Sequence, residues 1–173
     1  LEGLRHLQHD LPEGIYQFPS DSTIMDTATM VAALSAVDLS LESPIVGKGV
    51  DFLWSRQHEK PGEWLHQLAT PVSPGGWGFN LNSESYPDAD DTAMTLRALR
   101  DVYGDSWYER ENDFTRGIDW LLAMQNWDGG WGTWDRQAGL LSIFLNIVMK
   151  KAASPLVLSE SVVDHTTRVL ITL

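Results

Sequence analysis

No cysteine occurs among the 173 residues. That excludes disulfides, thiolate metal ligands and a cysteine nucleophile, and it fits a reducing compartment. Basic side chains are scarce: 12 stand against 24 acidic ones, for a formal net charge of −12. So few cations cannot neutralise a row of phosphates, so a nucleic-acid partner is excluded. No apolar run reaches the roughly 18–20 residues that span a bilayer. Few segments alternate with period two, so strands should be rare. Aromatics, by contrast, are plentiful, with 8 Trp, 5 Phe and 4 Tyr. The length suits one domain or a large piece of one, with enough chain to bury a core without staples.

The chain starts at Leu1 and stops on the apolar run 169–173, with no C-cap glycine and no polar tail. A helix ended there would leave carbonyls and an apolar face without partners. The expectation is a fragment of a longer polypeptide.

Two repeats are interleaved. Asp26-Thr27-Ala28, Asp91-Thr92-Ala93 and Asp164-His165-Thr166 each lead into an apolar helical pattern, as N-cap chemistry does. Lys48-Gly49-x-x-Phe52-Leu53 runs on to Gln57 and Gly62-x-Trp64, and Arg116-Gly117-x-x-Trp120-Leu121 runs on to Gln125 and Gly130-Trp131. Repeats of this period indicate stacked supersecondary units. Helices are predicted near 25–39, 44–57, 90–103 and 110–125 and from about 160 to the end, with a weaker one over 137–151. Ser43-Pro44 predicts a capped start, Gly104 a C′ stop, and 58–89 a long loop. The fold class is all-α, an array of paired helices.

The sharpest local signal is Asp88-Ala89-Asp90-Asp91-Thr92-Ala93, with three carboxylates in four residues at a helix start. Capping explains one of them. Three together raise at least one pKa, and a retained proton makes a general acid. Mg²⁺ binding is the third reading, because aspartates at this spacing can hold it through one or two oxygens. The many aromatics favour the acid: ring faces stabilise cations by about 2 kcal/mol or more when desolvated, and chemistry that makes a carbocation must exclude water. Most of the eight Trp are expected to be core.

These residues resemble the squalene–hopene cyclases and related class II terpene cyclases. The family's acid motif is Asp-x-Asp-Asp-Thr-Ala, and its QW motif matches 116–131 fully and 48–64 with one insertion. Pro74-Gly75-Gly76-Trp77-Gly78-Phe79 and the Asp26-Thr27-Ala28 helix start also look like the family. The resemblance implies an (α/α) barrel or toroid of concentric helices, here partial, with residues 1–173 forming part of the catalytic barrel domain in the middle third of a larger cyclase. It implies that Asp90 donates a proton to a linear, squalene-like polyprenoid and that Asp88 and Asp91 flank it. Asp164 and Arg168 would support the acid, Arg168 standing where hopene-forming enzymes have His. His165, on this reading, points elsewhere. Phe79, Tyr86, Trp134 and Trp77 would line the substrate or its cations. Met25 stands where the family often has Trp.

No cofactor and no metal site are implied. The implied partners are the polyprenoid, the rest of the cyclase polypeptide, a membrane surface on the cytoplasmic side (peripheral, monotopic) and, as an open alternative, a second copy in a homodimer. The apolar segment 140–149 followed by Lys150-Lys151 could lie on an anionic membrane or be an ordinary buried helix. Rival functions are a class II cyclase of a prenyl diphosphate, an inactive toroid with a structural role, and a prenyltransferase-like barrel, which the lack of a thiolate disfavours.

Overall fold

The computed structural model describes residues 8–12, 14–17, 22–68, 70–81, 86–136 and 160–173. The weaker helix over 137–151, and with it the apolar segment 140–149 and Lys150-Lys151, lies outside them. Five helices carry the architecture: α1 Thr23–Ser35, α2 Pro44–Ser55, α3 Ala89–Tyr103, α4 Glu111–Ala123 and α5 Val163–Thr172. An antiparallel hairpin, β1 Gln8–Leu11 against β2 Gly14–Gln17, is the exception to the all-α pattern, paired from Gln8↔Gln17 to Leu11↔Gly14. Among the described residues no helix is long and apolar enough to cross a membrane.

Helix α3 is central. It packs on α1, α4 and α5, while α1 also packs on α2. Nine of its fifteen residues are buried, many of them small (Ala89, Ala93, Ala98) or apolar (Leu96, Leu99). A helix buried on most sides belongs to an inner layer. Helices α3 and α5 run the same way: Arg168 meets Asp90, and one turn on Thr172 Oγ1 donates to Ala93 O at 3.1 Å. The outer helices are amphipathic, and α4 buries Phe114, Gly117, Trp120 and Leu121 along one stripe. The fold is all-α, a segment of an α/α barrel with α1, α3 and α5 inside and α2 and α4 outside.

The glycine of each Lys/Arg-Gly pair lets an outer helix close on its inner partner. A Cβ at Gly49 would lie 2.7 Å from Val31 Cγ2 of α1, and one at Gly117 would lie 2.9 Å from Leu96 Cδ2 of α3. Only a missing side chain permits that approach. The second half of each repeat is a tryptophan bond: Trp131 Nε1 donates to Leu121 O at 2.7 Å, and Trp77 Nε1 donates to Leu53 O at 2.7 Å. The equivalent of Trp131 in the first unit is therefore Trp77, not Trp64 as the spacing suggests. Gln57 donates to Gly75 O just as Gln125 donates to Gly129 O, both at 2.9 Å. Trp64 instead packs edge-on to Trp120, with ring centroids 6.0 Å apart.

Two expected caps differ in detail. Ser43 makes no side-chain cap bond; Pro44 begins α2 and Gly47 N bonds the Ser43 carbonyl at 2.9 Å. Asp26, Asp91 and Asp164 all lie inside the first turns of their helices, where the dipole favours them. Of the three inner helices only α3 has a capping carboxylate, Asp88. Gly104 closes α3 at a φ of 52°, a backbone that glycine adopts without strain.

Candidate active site

The acid motif folds around a helix start. Asp88, the N-cap, accepts from Asp91 N at 2.7 Å, which fixes the turn that presents Asp90. The loop ahead is clamped to this turn. Asp88 N donates to Trp77 O at 2.9 Å, Trp77 N donates to Thr92 Oγ1 at 2.8 Å, and Ala89 N reaches Thr133 O at 3.0 Å. The same clamp recurs on α5, where Trp131 N donates to Thr166 Oγ1 at 3.0 Å and Val162 N to Trp131 O at 2.8 Å. Two copies of one loop-to-helix joint thus aim the two halves of the site.

Asp88, Asp90 and Asp91 are all buried, at 2%, 9% and 1% exposure. Burial of a carboxylate is costly unless it is paired or protonated, and the three resolve this differently. Asp90 Oδ2 accepts from Arg168 Nη1 at 2.5 Å, and Arg168 Nη2 reaches Asp164 Oδ2 at 2.9 Å. The Asp90 bond holds the Arg168 guanidinium above its ordinary value, so it stays charged. Asp88 has no cation: burial, reinforced by its hydrogen bond and repulsion with Asp91, pushes its pKa from 3.8 up to about 10. Asp91 is also raised, chiefly by burial, against the lowering effect of its bond to Asp88. The Oδ1 atoms of Asp90 and Asp91 are buried without a hydrogen-bond partner among the described residues. Unsatisfied buried oxygens of this kind mark functional sites more often than stabilising ones.

A proton held on Asp88 in the folded state and lost from it in the unfolded state links folding to pH. Its stabilising contribution is full below pH about 4 and declines as pH rises toward about 10. Asn resembles the protonated acid. Asp88→Asn should therefore lose less stability than the wild type between pH 5 and pH 9, measured by chemical denaturation at both values. A parallel decline in both proteins would place the shared proton elsewhere.

Phe79, Tyr86 and Trp134 come together, with Asn80 and Asp135, around a groove of about 460 Å³. It lies at the acid's end of α3, because Tyr86 stands two residues before Asp88 and Trp134 follows the Thr133 carbonyl that binds Ala89 N. Tyr86 and Trp134 are 45% and 56% exposed, so their rings face open space. The Tyr86 hydroxyl donates to Glu63 Oε2 at 2.6 Å. Trp77, expected with them, is absent from the groove. Its ring is wholly buried against Trp54, centroids 5.8 Å apart, and its N–H is committed to Leu53. Its role is to hold the loop, and a ring without exposed surface lines nothing. Trp64, Trp120 and Trp131 are buried likewise, and Trp54 and Trp107 pack against the same core, so the tryptophans are mostly core, as expected.

The residue that sequence reasoning passed over is His165. Its Nε2 lies 4.0 Å from Asp90 Oδ2, and its Nδ1 lies 3.4 Å from Thr133 Oγ1. The expectation that it points elsewhere is overturned. Residues 165 and 168 are three apart on α5 and share a face, and that spacing was the signal available. Asp164, by contrast, is on the rim, its side chain 69% exposed.

Comparison with known proteins agrees with this geometry. Residues 21–173 match the family described as the squalene–hopene cyclase C-terminal domain. Sporulenol synthase of Bacillus subtilis is 34% identical over 151 residues, which is 87% of this chain and 22% of that protein. Squalene–hopene cyclase of Alicyclobacillus acidocaldarius is 33% identical over 135 residues, covering 78% of this chain and 21% of that protein. A terpene cyclase–glycosyl transferase fusion protein of Humicola fuscoatra is 37% identical over 145 residues, 78% of this chain and 11% of its own length. The chain thus spans about a fifth or less of the relatives it matches. By its acid cluster, its paired-helix repeats and these matches, the chain belongs to the squalene–hopene cyclase family.

Proposed function

We propose that this chain supplies the acid-bearing wall of a class II terpene cyclase, working as part of a larger cyclase polypeptide. Such an enzyme closes a linear polyprenoid into rings after protonating a terminal double bond. The observation that carries the reading is the buried carboxylate Asp90, paired to Arg168 at the end of α3 where an aromatic groove opens.

The residues divide the work as follows. With Asp90 protonated for the reaction, its O–H bond breaks, the proton forms a C–H bond on the terminal alkene carbon, and a tertiary cation results. Arg168 then faces the carboxylate so created, and a fixed opposite charge needs no reorganisation at the moment of transfer. Asp164 orients Arg168 from the rim. Phe79, Tyr86 and Trp134 offer ring faces to the migrating cation, each worth about 2 kcal/mol or more once water is excluded. The Asp88–Asp91 pair shapes the turn that presents Asp90.

The proposed substrate is squalene or a related linear polyprenoid. Arg168, at the place where hopene-forming enzymes carry His, favours a polyprenoid other than squalene as the second reading. A substrate this insoluble also calls for a membrane surface as a partner. The purified cyclase polypeptide should be incubated in detergent with squalene, with longer and shorter linear polyprenes, and with a linear prenyl diphosphate, and the products analysed for rings. Cyclic hydrocarbon or alcohol products are expected. Products that retain a diphosphate, formed only with Mg²⁺, would move the enzyme to the diphosphate class. No cyclic product from any of them would overturn the reading.

A further inference from the structure

Resting on the cyclase reading, we propose that His165 is the proton relay that recharges Asp90 between turnovers. Each catalytic cycle ends with Asp90 ionised, because its proton has become a C–H hydrogen of the product. Asp90 is buried, so the next proton must come through a neighbour. Among the described residues, two side chains reach its Oδ2. Arg168 touches it at 2.5 Å but is held charged by that very contact, and a guanidinium does not release a proton in a protein. His165 is the other, with Nε2 4.0 Å away. Imidazole is the side chain that both takes and gives a proton near neutral pH.

The surroundings suit that duty. Thr133 Oγ1 lies 3.4 Å from Nδ1 and holds the ring's far side. The His165 side chain is 18% exposed and that of Asp90 12%. The gap to Asp90 closes by a small ring rotation or through one water. The charged groups set against the imidazole are Asp90 and Asp91 from α3, and Arg168 of its own helix contacts the same Asp90 oxygen. The step balances: imidazolium Nε2–H breaks, Asp90 Oδ2–H forms, and the neutral ring regains a proton from water. The cation left on the product loses one proton to solvent or captures hydroxide from water, so no further reactant is needed.

The test uses the cyclase polypeptide with the polyprene it turns over, comparing wild type with His165→Gln and His165→Asn. A single turnover from enzyme pre-equilibrated at low pH should proceed at nearly the wild-type rate in both variants. Multiple turnover should fall about tenfold or more, because recharging becomes the slow step, and added imidazole should restore part of it. Because the relay donates a proton, the fall of the wild-type steady-state rate as pH rises should change shape in the variants. Equal losses in single and multiple turnover without rescue by imidazole, or an unchanged steady state and pH profile, would overturn the relay while leaving the cyclase reading in place. Failure of the wild type to cyclise any polyprene would instead remove the cyclase reading and the relay together. Thermal unfolding of both variants separates lost folding from lost relay, and the smaller Asn serves where Gln disturbs the joint with Thr133.

Discussion

Asp90→Asn should lower the turnover of the cyclase by about 10²–10⁴-fold, the range associated with removing a general acid. Asn keeps the shape and can still accept from Arg168. It cannot deliver a proton to an alkene, so the loss should appear in kcat, with KM little changed. The comparison variant is Asp164→Asn. That side chain is 69% exposed and touches the site only through Arg168 Nη2, so its loss leaves the Asp90–Arg168 bond in place and should cost less than tenfold. The two kcat values, measured with one polyprene in detergent, decide the matter. Substantial turnover in Asp90→Asn would shift the donor to the Asp88–Asp91 pair, the other place where this site holds a proton. Equal losses in both variants would mean that the electrostatic chain through Arg168 matters more than the proton on Asp90.

Much of this arrangement was legible before any coordinates. Helix spans follow from apolar spacing, and five of them stand within a few residues of expectation. Stop signals such as Gly104 act through backbone alone and so survive any context. The acid cluster was legible for a related reason: three carboxylates in four residues are too costly a cap to be only a cap. What could not be read was pairing across the long loop of 58–89. Trp64 offers nearly the right spacing after Gln57, but the bond to Leu53 O is made by Trp77, much further along. A repeat is defined by which group reaches which carbonyl, and an insertion hides that from spacing. The sequence motif around Trp77 likewise suggested a lining residue, although its ring is consumed by the core. His165 was missed for the opposite reason. The family motif marks the position of Arg168, while the residue one turn earlier on the same face also faces the acid, at 4.0 Å.

Trp77→Ala should destabilise the protein by about 3–5 kcal/mol, the cost of emptying a fully buried tryptophan site. Against a usual total of about 5–15 kcal/mol, that is a large share. Two separate losses add here. The ring fills space beside Trp54 and Gly117, and its N–H satisfies the Leu53 carbonyl near the end of α2. Trp77→Phe divides them: it keeps most of the volume and removes only the ring N–H bond to Leu53 O, which still accepts from Arg56 N at 3.0 Å, at about 0.5–1.5 kcal/mol. Trp134→Ala is the control, since a ring 56% exposed at the groove should change stability by no more than about 0.5 kcal/mol. Denaturant titrations of the three variants test the ordering. The backbone of residue 77 also ties Asp88 N and Thr92 Oγ1 to the loop, so loosening it moves the turn that presents Asp90. Trp77→Phe, whose ring still fills most of the space that holds the loop in place, should therefore retain more activity per folded molecule than Trp77→Ala. If Trp77→Ala proved as stable as Trp134→Ala, the joint between α2 and α3 would have to be held by other contacts, and the repeat would lose the physical meaning given to it here.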